Sequence, residues 1–221
     1  MARIARGLLA AAFALLAASC ATTVPTPALD GPVQIQAGRE YQRIEPPHAA
    51  AADGRVEVIE FFYYGCPVCY ETEPHFSRWI GGAPDYVVIR RVPALSSEAW
   101  EPLARLYYAL EALGQLDRLH WPVYDAIHFE DVRLGDEKVM IDWAARSGID
   151  HEKFAQAYAS EAVKAKVTQA RELLKSYDVK AVPTFIVDGK FLTSARLAGG
   201  TQQVVEVLDH LVKLAREERL R

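Results

Sequence analysis

The chain has 221 residues, 51% of them hydrophobic, a net charge of -4 and three cysteines. That is enough apolar material for a packed core and argues against wholesale disorder. No basic stripe interrupts the acidic balance, which argues against nucleic acid as a partner, and three cysteines are too few for a disulfide-stapled scaffold.

In chain order, Arg3 and Arg6 precede a short apolar run from Gly7 to Ala18, followed by small residues at Ala17, Ala18 and Ser19. This is the pattern of an export signal over residues 1–19, and the run is too short for a membrane span. Losing it would take the net charge from -4 to -6, because Arg3 and Arg6 leave with no acid. Ala17-Ala18-Ser19-Cys20 also resembles a bacterial lipoprotein cleavage box, with Cys20 as the lipidated residue and Ala17 where leucine is usual. Residues 20–38, with Pro25, Pro27 and Gly31-Pro32, lack an apolar period and read as a flexible tether.

Glu40 to Ile44 alternates as a short edge strand that Pro46 and Pro47 end. Val56 to Phe62 is apolar, β-branched and aromatic, which predicts a buried strand. Gly65 breaks it, and Cys66-Pro67-Val68-Cys69 follows. Pro67 suits the first turn of a helix, where its missing N–H costs nothing. A helix is therefore expected from Pro67 to about Trp79, with a kink at Pro74. Gly81 to Asp85 reads as a turn, and Tyr86 to Val92 as a second strand closed by Pro93.

From Ser96 to Ser176 no strand signal appears. Leu103, Leu106, Tyr107, Leu110 and Leu113 recur at helical spacing, and Gly114 suits the cap. Further helices are expected from His120 to Phe129, with Trp121 and Pro122 at its start, from Asp136 to Ser147, from Asp150 to Ala159 and from Ala162 to Ser176. Strands resume at Pro183 to Val187, Asp188-Gly189 signals a hairpin turn, and Lys190 to Leu192 is its partner. Thr201 to Leu220 closes the chain as an amphipathic helix. The expected organisation is residues 39–95 and 177–221 as one α/β domain, with 96–176 inserted as a helical subdomain.

The cysteine pair carries the chemistry. A helix N-terminus presents unpaired N–H groups and a positive dipole end, and both favour a thiolate over a thiol of pKa about 8.5. Cys66 would be the attacking sulfur. Cys69 lies one turn later on the same face, near enough to close a disulfide and to resolve a mixed one. A zinc site would need four ligands, and the chain has no second C-x-x-C. An inert structural disulfide is the other bland alternative.

The order strand, C-x-x-C helix, strand, helical insertion, Val-Pro, hairpin, helix resembles the thioredoxin superfamily, specifically the DsbA-type periplasmic thiol:disulfide oxidoreductases. The likeness runs from about residue 40 to 220. It rests on Glu60-Phe61-Phe62 before Cys66-Pro67-Val68-Cys69-Tyr70, on Val182-Pro183-Thr184, and on the place of the insertion. It implies a thioredoxin-like fold, a redox-active Cys66–Cys69 disulfide, and a cis-proline at Pro183 with Val182 presenting its backbone to a substrate strand. Pro67 and Val68 would line the same contact. Glu60 matches the buried acid beneath the active site, which would relay a proton to or from Cys69; strand alternation turning it outward is the competing reading.

The resemblance further implies no bound cofactor and no metal. Unfolded exported proteins with free cysteines would be substrates, a quinone-linked membrane oxidase of the DsbB type would be the partner, and the enzyme would act as a monomer in the periplasm, membrane-anchored if Cys20 is lipidated. Alternatives are a reductase or isomerase on the same fold, or a non-enzymatic metal-handling module. Relatives commonly have histidine where this chain has Val68, so Cys66 is expected to be less acidic here. His75, His120, His128, His151 and His210 show no ligand spacing. Tyr63, Tyr64 and Tyr70 are candidate walls of the groove, and Arg216 to Arg219 reads as a solvated helix end.

Overall fold

The computed structural model describes residues 34–49 and 53–221. The expected signal, Cys20 and most of the tether lie outside the described residues. Five strands form one sheet: β1 (Gln42–Arg43), β2 (Val56–Phe62), β3 (Val87–Pro93), β4 (Thr184–Val187) and β5 (Phe191–Ser194), in the order β1-β5-β4-β2-β3. Strand β2 runs parallel to β3 and antiparallel to β4. Its residues are almost all buried, as its continuous apolar run requires.

Helix α1 (Pro67–Gly82) follows β2. It takes in Gly81 and Gly82, which the sequence places in a turn, and Pro74 lies in its interior. Helices α2 (Glu101–Ala112), α3 (Leu116–His128), α4 (Glu137–Arg146), α5 (His151–Ala159) and α6 (Glu161–Ser176) occupy the stretch between β3 and β4. The sequence starts α3 at His120 to seat Pro122 in the first turn; the helix begins a turn earlier and Pro122 is interior. Asp136, Asp150 and Ser160 cap α4, α5 and α6 by accepting from the amides three residues on. A four-residue helix α7 (Ala195–Ala198), unmarked in the sequence, precedes α8 (Gln203–Arg219).

Residues Ile35 to Arg221 hold together as one unit. One apolar cluster joins Ile59, Phe61 and Ile186 of the sheet to the helices α2 to α6. On the other face, Val56, Val58, Phe185 and Val187 pack on Phe76 of α1 and on Val204, Leu208 and Leu211 of α8. The hairpin turn is tight: Asp188 and Gly189 have φ of 56° and 66°, and the Lys190 amide donates to the Val187 carbonyl at 3.0 Å. Arg219 is not solvated at the helix end; it pairs with the buried carboxylate of Asp188.

Candidate active site

The antiparallel register of β2 and β4 brings the cysteines and the Val-Pro pair together. Phe61 faces Thr184 across the sheet, so β2 ends where β4 begins. Beyond Phe62 the chain turns through Tyr63, Tyr64 and Gly65. A Cβ on Gly65 would lie 2.6 Å from the Tyr63 ring, so any larger residue there would displace that ring. Tyr63 itself stacks on Trp100 at 4.0 Å. The turn delivers Cys66 as the N-cap of α1, with Pro67 in the first turn.

Cys66 Sγ accepts a hydrogen bond from the Cys69 amide at 3.4 Å and lies 3.6 Å from the carbonyl oxygen of Val182, to which the thiol donates. The Val182–Pro183 bond is cis, as is Glu45–Pro46, which the sequence did not mark. Both cysteines are free thiols, Cys66 half-buried and Cys69 fully buried. The hydrogen bond from the Cys69 side chain, aided by the Cys69 and Val68 amides against the penalty of burial, lowers the Cys66 thiol from 9.0 to about 6. Burial, then the hydrogen bond and charge of Cys66, push the Cys69 thiol far up. The pair is therefore split into one ready thiolate and one reluctant thiol.

Beside it opens a cleft of about 450 Å³ whose lining includes Val68, Val182, Pro183, Leu192, Arg196 and Leu197. Val68 is 41% exposed at its edge. Tyr70 is not part of that lining; its ring stacks with those of Trp121 and His128, and its hydroxyl donates to Asp125 at 3.1 Å. Tyr64 is no groove wall. It is 1% exposed, and its hydroxyl meets His120 Nδ1 at 2.8 Å.

Glu60 is 1% exposed, because α1 covers its face of the sheet and leaves β2 no solvent side. Arg91, its neighbour across the parallel β2–β3 pair, donates from Nε to Glu60 Oε2 at 3.1 Å and from Nη2 to Glu73 Oε1 at 2.6 Å. Burial and the charge of Glu73 raise the Glu60 carboxyl to about 8 despite Arg91. Burial alone would raise Glu73 too, but His120, Arg91 and Ser77 together lower it. Glu73, Arg91 and His120 thus form a buried cluster with Glu60 that the sequence reading did not bring together, and Tyr64, read there as a groove wall, packs into it instead. Among the described residues, no group of three or more His, Cys, Asp or Glu is placed to hold a metal ion.

The comparisons agree with this geometry. The DSBA-like thioredoxin domain profile matches residues 83–212. The thiol:disulfide interchange protein DsbA of Bordetella parapertussis is 39% identical over 202 residues, spanning 91% of this chain and 94% of that one. That of Azotobacter vinelandii is 36% identical over 185 residues, spanning 84% and 86%. The chain belongs to the DSBA-like thioredoxin domain family. Among solved structures, DsbA of Pseudomonas aeruginosa superposes with a TM-score of 0.80 at 34% identity over 85% of this chain and 97% of that one. NmDsbA1 of Neisseria meningitidis gives 0.76 at 26% identity over 87% and 100%. The profile match starts after the cysteine pair, so the helices α2 to α6 and the second part of the sheet mark the DsbA fold independently of the C-x-x-C motif. The protein is a thiol:disulfide oxidoreductase of the DsbA type.

Proposed function

We propose that the chain is a dithiol oxidase acting on exported proteins, with Cys66 as the attacked sulfur and Cys69 as its resolving partner. In the oxidised enzyme a substrate thiolate attacks Cys66, the Cys66–Cys69 bond breaks, and its electron pair leaves on Cys69. A second substrate thiolate then attacks the substrate's own sulfur in the mixed disulfide and expels Cys66 as a thiolate. The substrate gains a disulfide and the enzyme holds the two electrons as a dithiol. The observation that carries this reading is the Cys69 amide on Cys66 Sγ, which stabilises the leaving thiolate.

Val182 and Pro183 form the docking edge in this reading. The Val182 carbonyl already touches the sulfur, Val68 lines the cleft, and Pro67 stands next to it in the first turn of α1. Glu60 is the internal acid: largely neutral near pH 7, it protonates the Cys69 thiolate as it forms, since no solvent reaches that sulfur. Reoxidation falls to a quinone-linked membrane oxidase of the DsbB type. The signal pattern supports a periplasmic enzyme, and in this reading Cys20 is a lipid anchor and residues 20–38 the tether. No helix among the described residues is long and apolar enough to cross a membrane.

The test equilibrates purified protein with glutathione buffers, scores the Cys66–Cys69 redox state, and assays oxidation of a dithiol peptide. A dithiol form prevailing at a potential more oxidising than the glutathione pool, with peptide oxidation lost in Cys66→Ser, is the expected result. A pair that stays oxidised in reducing buffer and only reduces substrates would replace oxidase with reductase.

A further inference from the structure

The cleft beside Cys66 holds one charge that nothing in the fold answers. Its apolar wall is made by Val68, Val179, Val182, Pro183, Leu192 and Leu197, and three charged side chains stand among them, Asp178, Lys180 and Arg196. Asp178 and Lys180 pair with each other, so their charges cancel. Two hydroxyls of the lining are engaged within the fold: that of Thr184 donates to the Ala181 carbonyl at 2.7 Å, and that of Ser194 accepts from the Leu197 amide at 3.2 Å. Arg196 is exposed and has no acidic partner among the described residues.

The fold also fixes where that charge stands. Ser194 caps α7, Ala195 anchors it in the core, Gly199 ends it at φ 87°, and the Gly200 amide donates back to the Ala195 carbonyl at 2.8 Å. The backbone of Arg196 is held between these contacts, and its side chain is free to reach. The register that pairs Thr184 with Ser194 leads back to Val182 on β4 and onward to Arg196 after β5, so both residues leave the sheet at the same end. An extended chain rises about 3.3 Å per residue, so one laid along Val182 with its cysteine at Cys66 carries side chains about two or three residues away over the cleft.

We propose that Arg196 sets substrate preference: the enzyme favours protein segments that carry an aspartate or glutamate within about three residues of the reacting cysteine, beside an apolar side chain that fills the cleft. The inference rests on the oxidase reading and names the substrate class of that same site. Any chain seated on the cleft covers part of the guanidinium and takes water from it, which costs free energy unless an opposite charge takes the water's place. A carboxylate does so with two parallel N–H···O bonds to the planar fork. A glutamine answers the fork without a charge, and a lysine is repelled, so the selection works against cationic segments as much as for acidic ones. The chain as a whole has a net charge of -4 and offers acidic segments no general attraction, so a preference for them has to come from a local cation.

The experiment measures the second-order rate at which the oxidised protein oxidises dithiol peptides that differ in one residue, Glu, Gln or Lys, placed in turn at each position within about three residues of the attacking cysteine. At about 0.02 M salt the parent is expected to favour Glu over Lys by about tenfold at one or more of these positions, and to lose at least about two-thirds of that preference at about 0.5 M salt. Arg196→Gln is expected to abolish the preference and Arg196→Glu to reverse it; the site is exposed, and both replacements suit a helix. A charged residue also shifts the thiol of its own peptide, equally for every protein variant. The deciding quantity is therefore the Glu-to-Lys rate ratio of the parent divided by that of Arg196→Gln. A quotient near unity overturns the proposal, as does a preference that survives in Arg196→Gln and vanishes in Lys180→Gln. If the parent oxidises every peptide at one rate, the selectivity falls and the oxidase reading stands; if it oxidises none, both fall.

Discussion

Replacing Val68 by histidine tests the electrostatics of Cys66 directly. The thiolate here is stabilised by the Cys69 side chain and by two backbone amides, and α1 has no charged residue of either sign in that role in its first turn. An imidazolium within about 4–6 Å of a thiolate lowers its pKa by about 1–3 pH units. Val68 is 41% exposed, and solvent screening keeps the gain at the low end, about one unit. The reduced state then gains about 1.4 kcal/mol, which for a two-electron couple makes the potential about 30 mV more oxidising. Ultraviolet thiolate absorbance of the reduced proteins gives the pKa, and glutathione equilibration gives the potential. The parent is expected near 6 and Val68→His near 5. A parent value close to the about 3.5 of the most acidic DsbA thiol, or a variant that moves neither quantity, refutes the reasoning.

The same thiolate makes stability depend on pH in one redox state only. Cys66 is depressed from 9.0 to about 6 in the fold, so its contribution is complete above the unfolded value and is lost as pH falls through about 6. The melting temperature of the reduced protein is expected to gain on that of the oxidised protein as pH rises from about 6 to about 9, and a constant difference rules this out. Arg91→Met strands two buried carboxyl groups, that of Glu73 charged, and is expected to lower stability by about 3–5 kcal/mol in urea titration, with Glu60→Gln in the same chain recovering part of it. If the single variant costs less than about 1 kcal/mol, the cluster is not held by Arg91. Gly189→Ala is expected to lose more than about 1 kcal/mol by the same assay, since φ is +66° and a Cβ would meet the His48 carbonyl oxygen at 2.8 Å.

Most of the frame was legible because local chemistry and global fold agree. Val56 to Phe62, the Pro67 helix start, the aspartate caps of α4 and α5 and the Asp188-Gly189 turn each carry their signal within a few residues. Pro74 was expected inside α1 and lies there, but Pro122 misled: it is tolerated inside α3, so a boundary drawn at it falls a turn late. Helix α7 is four residues long and has no periodicity to detect.

The acid cluster was out of reach for a different reason. Glu60, Glu73, Arg91 and His120 lie on β2, α1, β3 and α3, and nothing within any one of those segments points to the others. Alternation along β2 raised the possibility of a solvent-facing Glu60, and only the cover of α1 over that face decides against it. Once the sheet is built, however, the parallel register places Arg91 opposite Glu60, and one turn of α1 separates Cys69 from Glu73. Forming the fold around Cys69 therefore forces two acids and a guanidinium together beneath it. A buried sulfur that must alternate between disulfide and thiol needs a proton source that solvent cannot supply directly, and the cluster lies where that need arises.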